Sequence, residues 1–247
     1  MTESAETAES PDRARGFAKL YRIGAIAALA TVAITVVQIV AGVLWPPPDF
    51  APTAEAAVRI LELCKAEPVL TFVRLDGLMV IDYLLLAVVY LALFAALKDR
   101  DPSLMTLGTG LALMAITMYF TVNPAATMLV LAGSYSPAAS GATASGVVAA
   151  AQAVLAGFQG TAFLVHYIVM GIAGMLVSFV MLRSGVFSRT TAVAGILQGA
   201  MMLVPVTFGM VGLLFAVGSL IPFAVWFTLV GLRLLRMAKD DEGAGVA

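Results

Sequence analysis

The sequence predicts an all-α membrane protein, a polytopic bundle of six transmembrane helices. Hydrophobic residues make up 61% of the 247-residue chain, and only 12% of its residues are charged. Soluble domains carry about 25% charged residues. The mean hydropathy is +1.00, and uncharged apolar runs recur along the whole chain, which is typical of membrane-spanning helices.

The predicted spans follow from these runs and from the residues that end them. The first span stops at three consecutive prolines from Pro46, because proline lacks an amide donor and clashes with the preceding turn. The uncharged stretch 190–232 is too long for one crossing at about 1.5 Å per residue, so it is divided near Pro205 and Gly209. The six spans are 23–45, 71–97, 104–133, 158–182, 190–208 and 211–232.

Shorter helical segments are predicted between the spans, on the outer face. Residues 53–65 have an amphipathic pattern and are too short to cross a bilayer. The third span contains Asn123-Pro124, which predicts a kink. A loop of small, uncharged residues follows this span, and from Val147 the chain is helical again. Glycines at helix-packing spacing, such as Gly195 and Gly199, predict close contacts between helices.

The basic residues predict the orientation of the bundle. With six spans, eleven of the 14 Lys and Arg residues collect on one side and three on the other. This asymmetry places both termini in the cytoplasm of a multi-pass protein in the plasma (cell) membrane. We expect a disordered cytoplasmic N-terminus at 1–16, one six-helix transmembrane domain at 17–237 and a disordered cytoplasmic tail at 238–247.

Asp82 is the strongest functional signal, because it lies well inside the apolar second span. A carboxylate at such a depth costs about 2.5–3.5 kcal/mol. Gln38, Asn123 and His166 are predicted at about the same level, and Gln159 precedes His166 by seven residues, on the same helical face. We therefore predict an outward-facing, ligand-binding polar pocket that contains these five residues, with His166 or Asn123 as the partner of Asp82.

Arg74 and Asp76 lie near the outer interface and are predicted to form the rim of this pocket. The favoured function is binding or transport of a small-molecule or lipophilic ligand. One alternative is a structural or regulatory membrane partner whose polar residues serve helix packing, and a third hypothesis is an intramembrane enzyme.

Catalytic chemistry is not favoured by the sequence. One histidine cannot form a multi-histidine metal site, and no glycine-rich phosphate loop is present. We predict no enzyme activity, catalytic residue, metal or cofactor. The net charge of −1 does not favour a nucleic-acid partner, and the lipid bilayer is the expected environment. The oligomeric state stays open.

Several short motifs carry a resemblance to a known family. They are Arg74-Leu75-Asp76 before a span that contains Asp82, Asn123 in the third span, Gly160-Thr161, the turn from Arg183 to Arg189, Gly195-Ile196, and Pro222-Phe223 with Trp226. With these motifs the chain resembles a bacterial family of small six-span integral membrane proteins, known only as a domain of unknown function. The resemblance implies a location in the bacterial plasma membrane. It implies no activity and no catalytic residue.

Overall fold

The computed structural model describes residues 11–136, 142–204 and 208–243, which form ten α-helices and, within these ranges, no strand. The helices are α1 Pro11–Leu44, α2 Ala54–Ala66, α3 Pro68–Arg74, α4 Gly77–Leu97, α5 Pro102–Val122, α6 Ala125–Ser134, α7 Ala142–Phe158, α8 Thr161–Ser184, α9 Arg189–Met201 and α10 Gly209–Gly243. The all-α prediction is thus confirmed for the described part of the chain.

Six of these helices form a closed ring. In chain order α1, α4, α5, α8, α9 and α10 each pack against the next, and α10 packs against α1. Their inward faces make one apolar core, in which Ala25, Leu93, Val177 and Trp226 are almost fully buried. The side chains facing outward are largely apolar too, including Val43, Val193 and Ile221, as expected for a surface in contact with lipid.

Five segments are long and apolar enough to cross a membrane, rather than the six predicted. They are Phe17–Leu44, Gly77–Leu97, Pro102–Ser134, Ser145–Ser184 and Gly209–Asp241. The predicted fifth span, 190–208, corresponds to α9, which has only 13 residues. Such a helix is about 20 Å long, whereas the hydrocarbon core of a bilayer is about 30 Å thick.

The four helices α2, α3, α6 and α7 pack together at one end of the ring, and we call them the cap. Their shared apolar core includes Ile60, Leu61, Met128 and Leu155, all fully buried. Amphipathicity correctly predicted α2, whose N-cap Thr53 accepts a hydrogen bond from the Ala56 amide. The sequence also predicted the helix that becomes α7.

The predicted second span, 71–97, begins inside α3, which the structure separates from α4. The predicted third span, 104–133, covers α5 and α6, which together form the one apolar segment Pro102–Ser134. Asn123 has an extended backbone, with ψ of 124°, because the residue before a proline is disfavoured in helical geometry. The predicted kink at Asn123-Pro124 is therefore a complete break. The new helix that begins at Ala125 packs against α2 in the cap.

The ends of the chain are more helical than predicted. α1 begins at Pro11, inside the segment 1–16 that was expected to be disordered, and α10 continues through the start of the expected tail to Gly243. Ala238 is buried in the core, which shows why the helix does not stop at 237. The remaining parts of both predicted tails, 1–10 and 244–247, lie outside the described residues.

Glycines allow the closest contacts of the ring, as their spacing predicted. A Cβ atom on Gly199 would lie 2.5 Å from the carbonyl oxygen of Gly171, and one on Gly171 would lie 2.8 Å from the carbonyl oxygen of Gly199. The backbones of α8 and α9 thus touch directly. A Cβ atom on Gly24 would lie 2.3 Å from the Cβ of Ala92, which brings α1 equally close to α4.

Candidate functional site

A cavity of about 360 Å³ lies inside the ring, bounded by α1, α4, α8, α9 and α10. This volume falls within the range of small-molecule sites, about 300–1,000 Å³. Most of its wall is apolar or aromatic. The residues that line it are Thr35, Met79, Asp82, Tyr83, Leu86, Tyr90, Tyr167, Met170, Gln198, Met202, Ala216, Val217, Ser219, Leu220, Phe223 and Phe227.

Asp82 is the one ionisable carboxyl among these lining residues. It lies in the second turn of α4 and is only 3% exposed. Thr31 on α1 interacts with this carboxyl, yet within the described residues neither Thr31 Oγ1 nor Asp82 Oδ1 has a partner that meets hydrogen-bond geometry. No lysine, arginine or histidine is among the described residues that line the cavity. The carboxyl is therefore buried without a countercharge there.

Among the described residues, five aromatic rings line the same cavity as this carboxyl. Tyr83 and Tyr90 come from α4, Tyr167 from α8, and Phe223 and Phe227 from α10. The rings of Phe223 and Phe227 lie 4.5 Å apart at their centroids, close enough for direct contact. The wall thus combines one acidic group with several ring surfaces.

His166 is not the partner of Asp82, and this part of the prediction is wrong. Its Nδ1 lies 2.6 Å from the carbonyl oxygen of Phe163, and its Nε2 lies 3.0 Å from the hydroxyl of Tyr83. A carbonyl can only accept, so Nδ1 carries the proton and Nε2 accepts from Tyr83. The imidazole is fully buried, and it positions a tyrosine of the cavity wall.

Asn123 also pairs elsewhere, at the junction between the ring and the cap. Its Nδ2 donates to the backbone oxygen of Asp76 at 3.1 Å and to the hydroxyl of Tyr119 at 3.0 Å. Its Oδ1 accepts from the amide of Ala125 at 3.1 Å, which caps the start of α6. Asn123 therefore joins α4, α5 and α6, and it does not line the cavity.

Gln38 holds the same junction from the side of α1. Its Nε2 donates to Asp76 Oδ1 at 3.2 Å and to the backbone oxygen of Val73 at 3.1 Å. Asp76 itself has a left-handed backbone, with φ of 60°, a conformation that aspartate tolerates better than most residues. Gln38 and Asn123 thus fix the turn between α3 and α4 from two sides.

The remaining predicted residues also lie away from the cavity. Gln159 is exposed beside the turn between α7 and α8, and Arg74 donates from Nε to the carbonyl oxygen of Pro46 at 3.0 Å. Of the five predicted pocket residues, the structure brings only Asp82 to the cavity wall. Gln38 and Asn123 contact Asp76, six residues before Asp82. His166 contacts Tyr83, and Gln159 is exposed.

Three polar lining residues were missed by the sequence reasoning: Thr35, Gln198 and Ser219. Each is an uncharged residue in an apolar helix, and the neighbouring sequence does not indicate whether its side chain faces the cavity. The aromatic part of the wall did leave a signal. Tyr83 and Tyr90 are seven residues apart in α4, so they share a helical face, and Tyr83 directly follows the residue already singled out.

No protein-family model, curated protein or solved structure matches this chain.

We expect Asn123→Ala to destabilise the junction between ring and cap. The substitution removes three hydrogen bonds and leaves the Ala125 amide without its acceptor, which should lower the free energy of unfolding by about 2–3 kcal/mol. Thermal unfolding of the detergent-solubilised protein measures the change. Thr121→Ala is the control, because its exposed hydroxyl bonds only the carbonyl of Met118. Equal shifts in the two variants would contradict this role for Asn123.

Asp76 should make stability depend on pH. Burial raises the pKa of its carboxyl from 3.8 to about 6, so the folded protein binds this proton more tightly than the unfolded chain does. Its contribution to stability is therefore complete below about pH 4 and is lost as the pH rises through 6. Between pH 7 and pH 4 the wild type should gain about 2 kcal/mol of unfolding free energy relative to Asp76→Asn. Parallel pH profiles for the two proteins would be the contrary result.

Proposed function

We propose that this protein binds a small, mainly apolar molecule in the ring cavity, as a receptor or carrier in a bacterial plasma membrane. The observation that supports this most strongly is Asp82, buried in the cavity wall with Oδ1 unpartnered. An unpaired ionisable group in a membrane bundle is costly. Packing alone would have been served better by an apolar residue, so a bound molecule is the simplest reason for the carboxyl.

The exposed edge of the cavity favours a ligand that arrives from the bilayer. Val217 lines the cavity and is also 56% exposed. Leu213 and Leu214, one turn earlier on α10, are exposed as well. An opening bordered by such side chains faces lipid rather than water. This differs from the polar, outward-facing pocket expected from the sequence, and it suits a lipophilic ligand.

We further propose that all six ring helices cross the membrane, with both termini in the cytoplasm. The fifth crossing would be the predicted span 190–208, whose described helix is α9. Basic residues support the orientation: Arg100 and Arg233 line a polar recess at the end of the ring opposite the cap, and Arg233 Nε donates to the carbonyl of Val186 at 2.8 Å. Positive residues collect on the cytoplasmic side of membrane proteins. The resemblance to the bacterial six-span family agrees with this topology.

The alternative, a structural membrane partner, draws support from Gln38, Asn123 and His166. Their hydrogen bonds join helices, which is what a packing role requires. The same explanation covers Asp82 poorly: Thr31 interacts with its carboxyl, but Oδ1 makes no hydrogen bond among the described residues. We therefore favour binding, and the proposal includes no chemical step.

The experiment fills the cavity and measures binding. Phenyltrimethylammonium and its neutral counterpart of the same shape, tert-butylbenzene, are titrated into the solubilised full-length protein by calorimetry. We expect saturable binding of at least one probe, and a loss of about tenfold or more in its affinity in Ala216→Phe, since Ala216 lines the cavity.

Ala33→Phe is the matched control, because Ala33 is exposed on the lipid side of α1 and the substitution adds the same ring outside the cavity. Its affinity for the probe should equal that of the wild type. Binding of neither probe, or equal binding by Ala216→Phe and the wild type, would overturn the proposed function.

A further inference from the structure

We propose that the ligand is a lipophilic organic cation, an amine or quaternary ammonium whose charged nitrogen lies beside Asp82. This inference rests on the proposed function and specifies its class of ligand. It follows from three features of the cavity wall: the charge of Asp82, the aromatic rings that line the same cavity, and the shortage of oxygen ligands for a metal ion.

The charge of the wall favours a cation. Asp82 is 97% buried, Oδ1 has no hydrogen-bond partner, and the described lining residues include no basic side chain. His166 contacts the Tyr83 hydroxyl and the Phe163 carbonyl and is not among the described lining residues, so it is not a direct partner of the Asp82 carboxyl. An ionised carboxylate in such surroundings is stabilised chiefly by a positive group brought close to it. An anionic ligand would be repelled.

The aromatic rings select an organic cation. Tyr83, Tyr90, Tyr167, Phe223 and Phe227 come from three different helices and line the same cavity as Asp82. The faces of such rings attract cations, and cages of aromatic side chains recognise quaternary ammonium groups in particular. The methionine and leucine side chains of the wall provide apolar contacts for the rest of the molecule.

A metal ion fits the site poorly. Hard cations such as Ca²⁺ or Mg²⁺ need about six oxygen ligands, and no group of three or more histidine, cysteine, aspartate or glutamate side chains occurs within the described residues. Asp82 is the one carboxylate among the described residues of the wall. The other side-chain oxygens there belong to uncharged residues, and one of these, Ser219, already donates to the carbonyl of Ala216 at 2.7 Å. A bulky cation with a low charge density needs no such ligand shell.

The test compares two probes of equal shape and different charge. Phenyltrimethylammonium and tert-butylbenzene are titrated into the full-length protein and into Asp82→Asn, which keeps the shape of the side chain and removes its charge. In the wild type we expect the cation to bind at least about tenfold more tightly than the neutral probe. In Asp82→Asn this preference should vanish, with the affinity of the neutral probe nearly unchanged.

Three further variants separate the effect of the Asp82 charge from the effect of the aromatic rings. Glu62→Gln removes an exposed carboxylate from the cap and should leave the preference for the cation intact. Phe223→Leu should lower the affinity for the cation more than the affinity for the neutral probe. Phe120→Leu, on the exposed face of α5, should change neither affinity. If the two probes bound the wild type with equal affinity, and binding were still sensitive to Ala216→Phe, the inference that the ligand is a cation would be overturned. The proposed function would stand. Binding of neither probe would overturn both. A charge preference that survives Asp82→Asn would likewise overturn the inference.

Discussion

Gly199→Ala should destabilise the protein, because the added methyl group would overlap the backbone of the neighbouring helix α8. The new Cβ would lie 2.5 Å from the carbonyl oxygen of Gly171 and 2.6 Å from Met175 Cγ. Because the first of these atoms belongs to the backbone, no side-chain rotation relieves the clash, and α8 and α9 must separate. Overpacking of this kind costs about 3 kcal/mol, which exceeds the gain of about 1 kcal/mol from the better helix propensity of alanine.

Gly110→Ala is the matched control for this prediction. Gly110 lies inside α5, and a Cβ atom there would meet nothing within 4 Å. The same substitution should therefore stabilise α5 by up to about 1 kcal/mol, through propensity alone. Unfolding measured in the same detergent should show shifts of opposite sign. A stabilised Gly199→Ala would contradict the direct backbone contact between α8 and α9.

Asp82→Leu should make the protein more stable and abolish its preference for a cation. Leucine has a similar size and needs no partner, whereas the carboxyl of Asp82 is buried with Oδ1 unpaired. Removing an ionisable group from a membrane helix should raise the free energy of unfolding by about 2–3 kcal/mol. Thermal unfolding and probe titration on the same preparation measure both effects.

Asp76→Leu makes the contrast sharp, since it is the same substitution six residues earlier. There the side chain accepts a hydrogen bond from Gln38, and the backbone is left-handed, a conformation that costs leucine about 1–2 kcal/mol. This variant should be less stable than the wild type. If Asp82→Leu were less stable than the wild type as well, Asp82 would have a structural partner. That result would favour the packing hypothesis over ligand binding.

The helices could be predicted from sequence because apolar runs and their terminators are local signals. Amphipathicity gave α2, and the prolines after Trp45 gave the end of α1. The division of the cap could not be predicted in this way. Whether Asn123-Pro124 bends a helix or ends it depends on α2 and α7, whose surfaces bury α6, and those contacts join residues far apart in sequence.

The sequence singled out Asp82 but could not show which side chains share the cavity with it. Counting residues from the helix ends placed Asp82, Asn123, Gln38 and His166 at one level, and hydrogen bonds do connect Gln38 and Asn123 through Asp76. A helix turns by about 100° per residue. Tyr83 consequently contacts His166 while its neighbour Asp82 has no such partner. The rotation of each helix within the ring is set by packing, which no single segment encodes.

The short helix α9 shows a similar limit. The stretch 190–232 is uncharged and was divided near Pro205 because of its length. This position lies between the end of α9 at Met201 and the start of α10 at Gly209. Hydropathy could not show that regular helix ends so early. The consequence for function is direct, because Gln198 and Met202 at the end of α9 reach the cavity wall.

The most direct test of the central claim is a structure of the protein with an electron-dense cation bound. (4-Iodophenyl)trimethylammonium combines the proposed charged group with an iodine atom that anomalous diffraction can locate. We predict an iodine peak inside the cavity between α4, α8 and α10, with the ammonium group in contact with the Asp82 carboxylate and ring faces of Tyr90 or Phe223. The peak should be absent from crystals of Ala216→Phe. Iodine found only at the lipid-facing surface, with the cavity empty or closed by side chains, would contradict the claim that this cavity is a binding site.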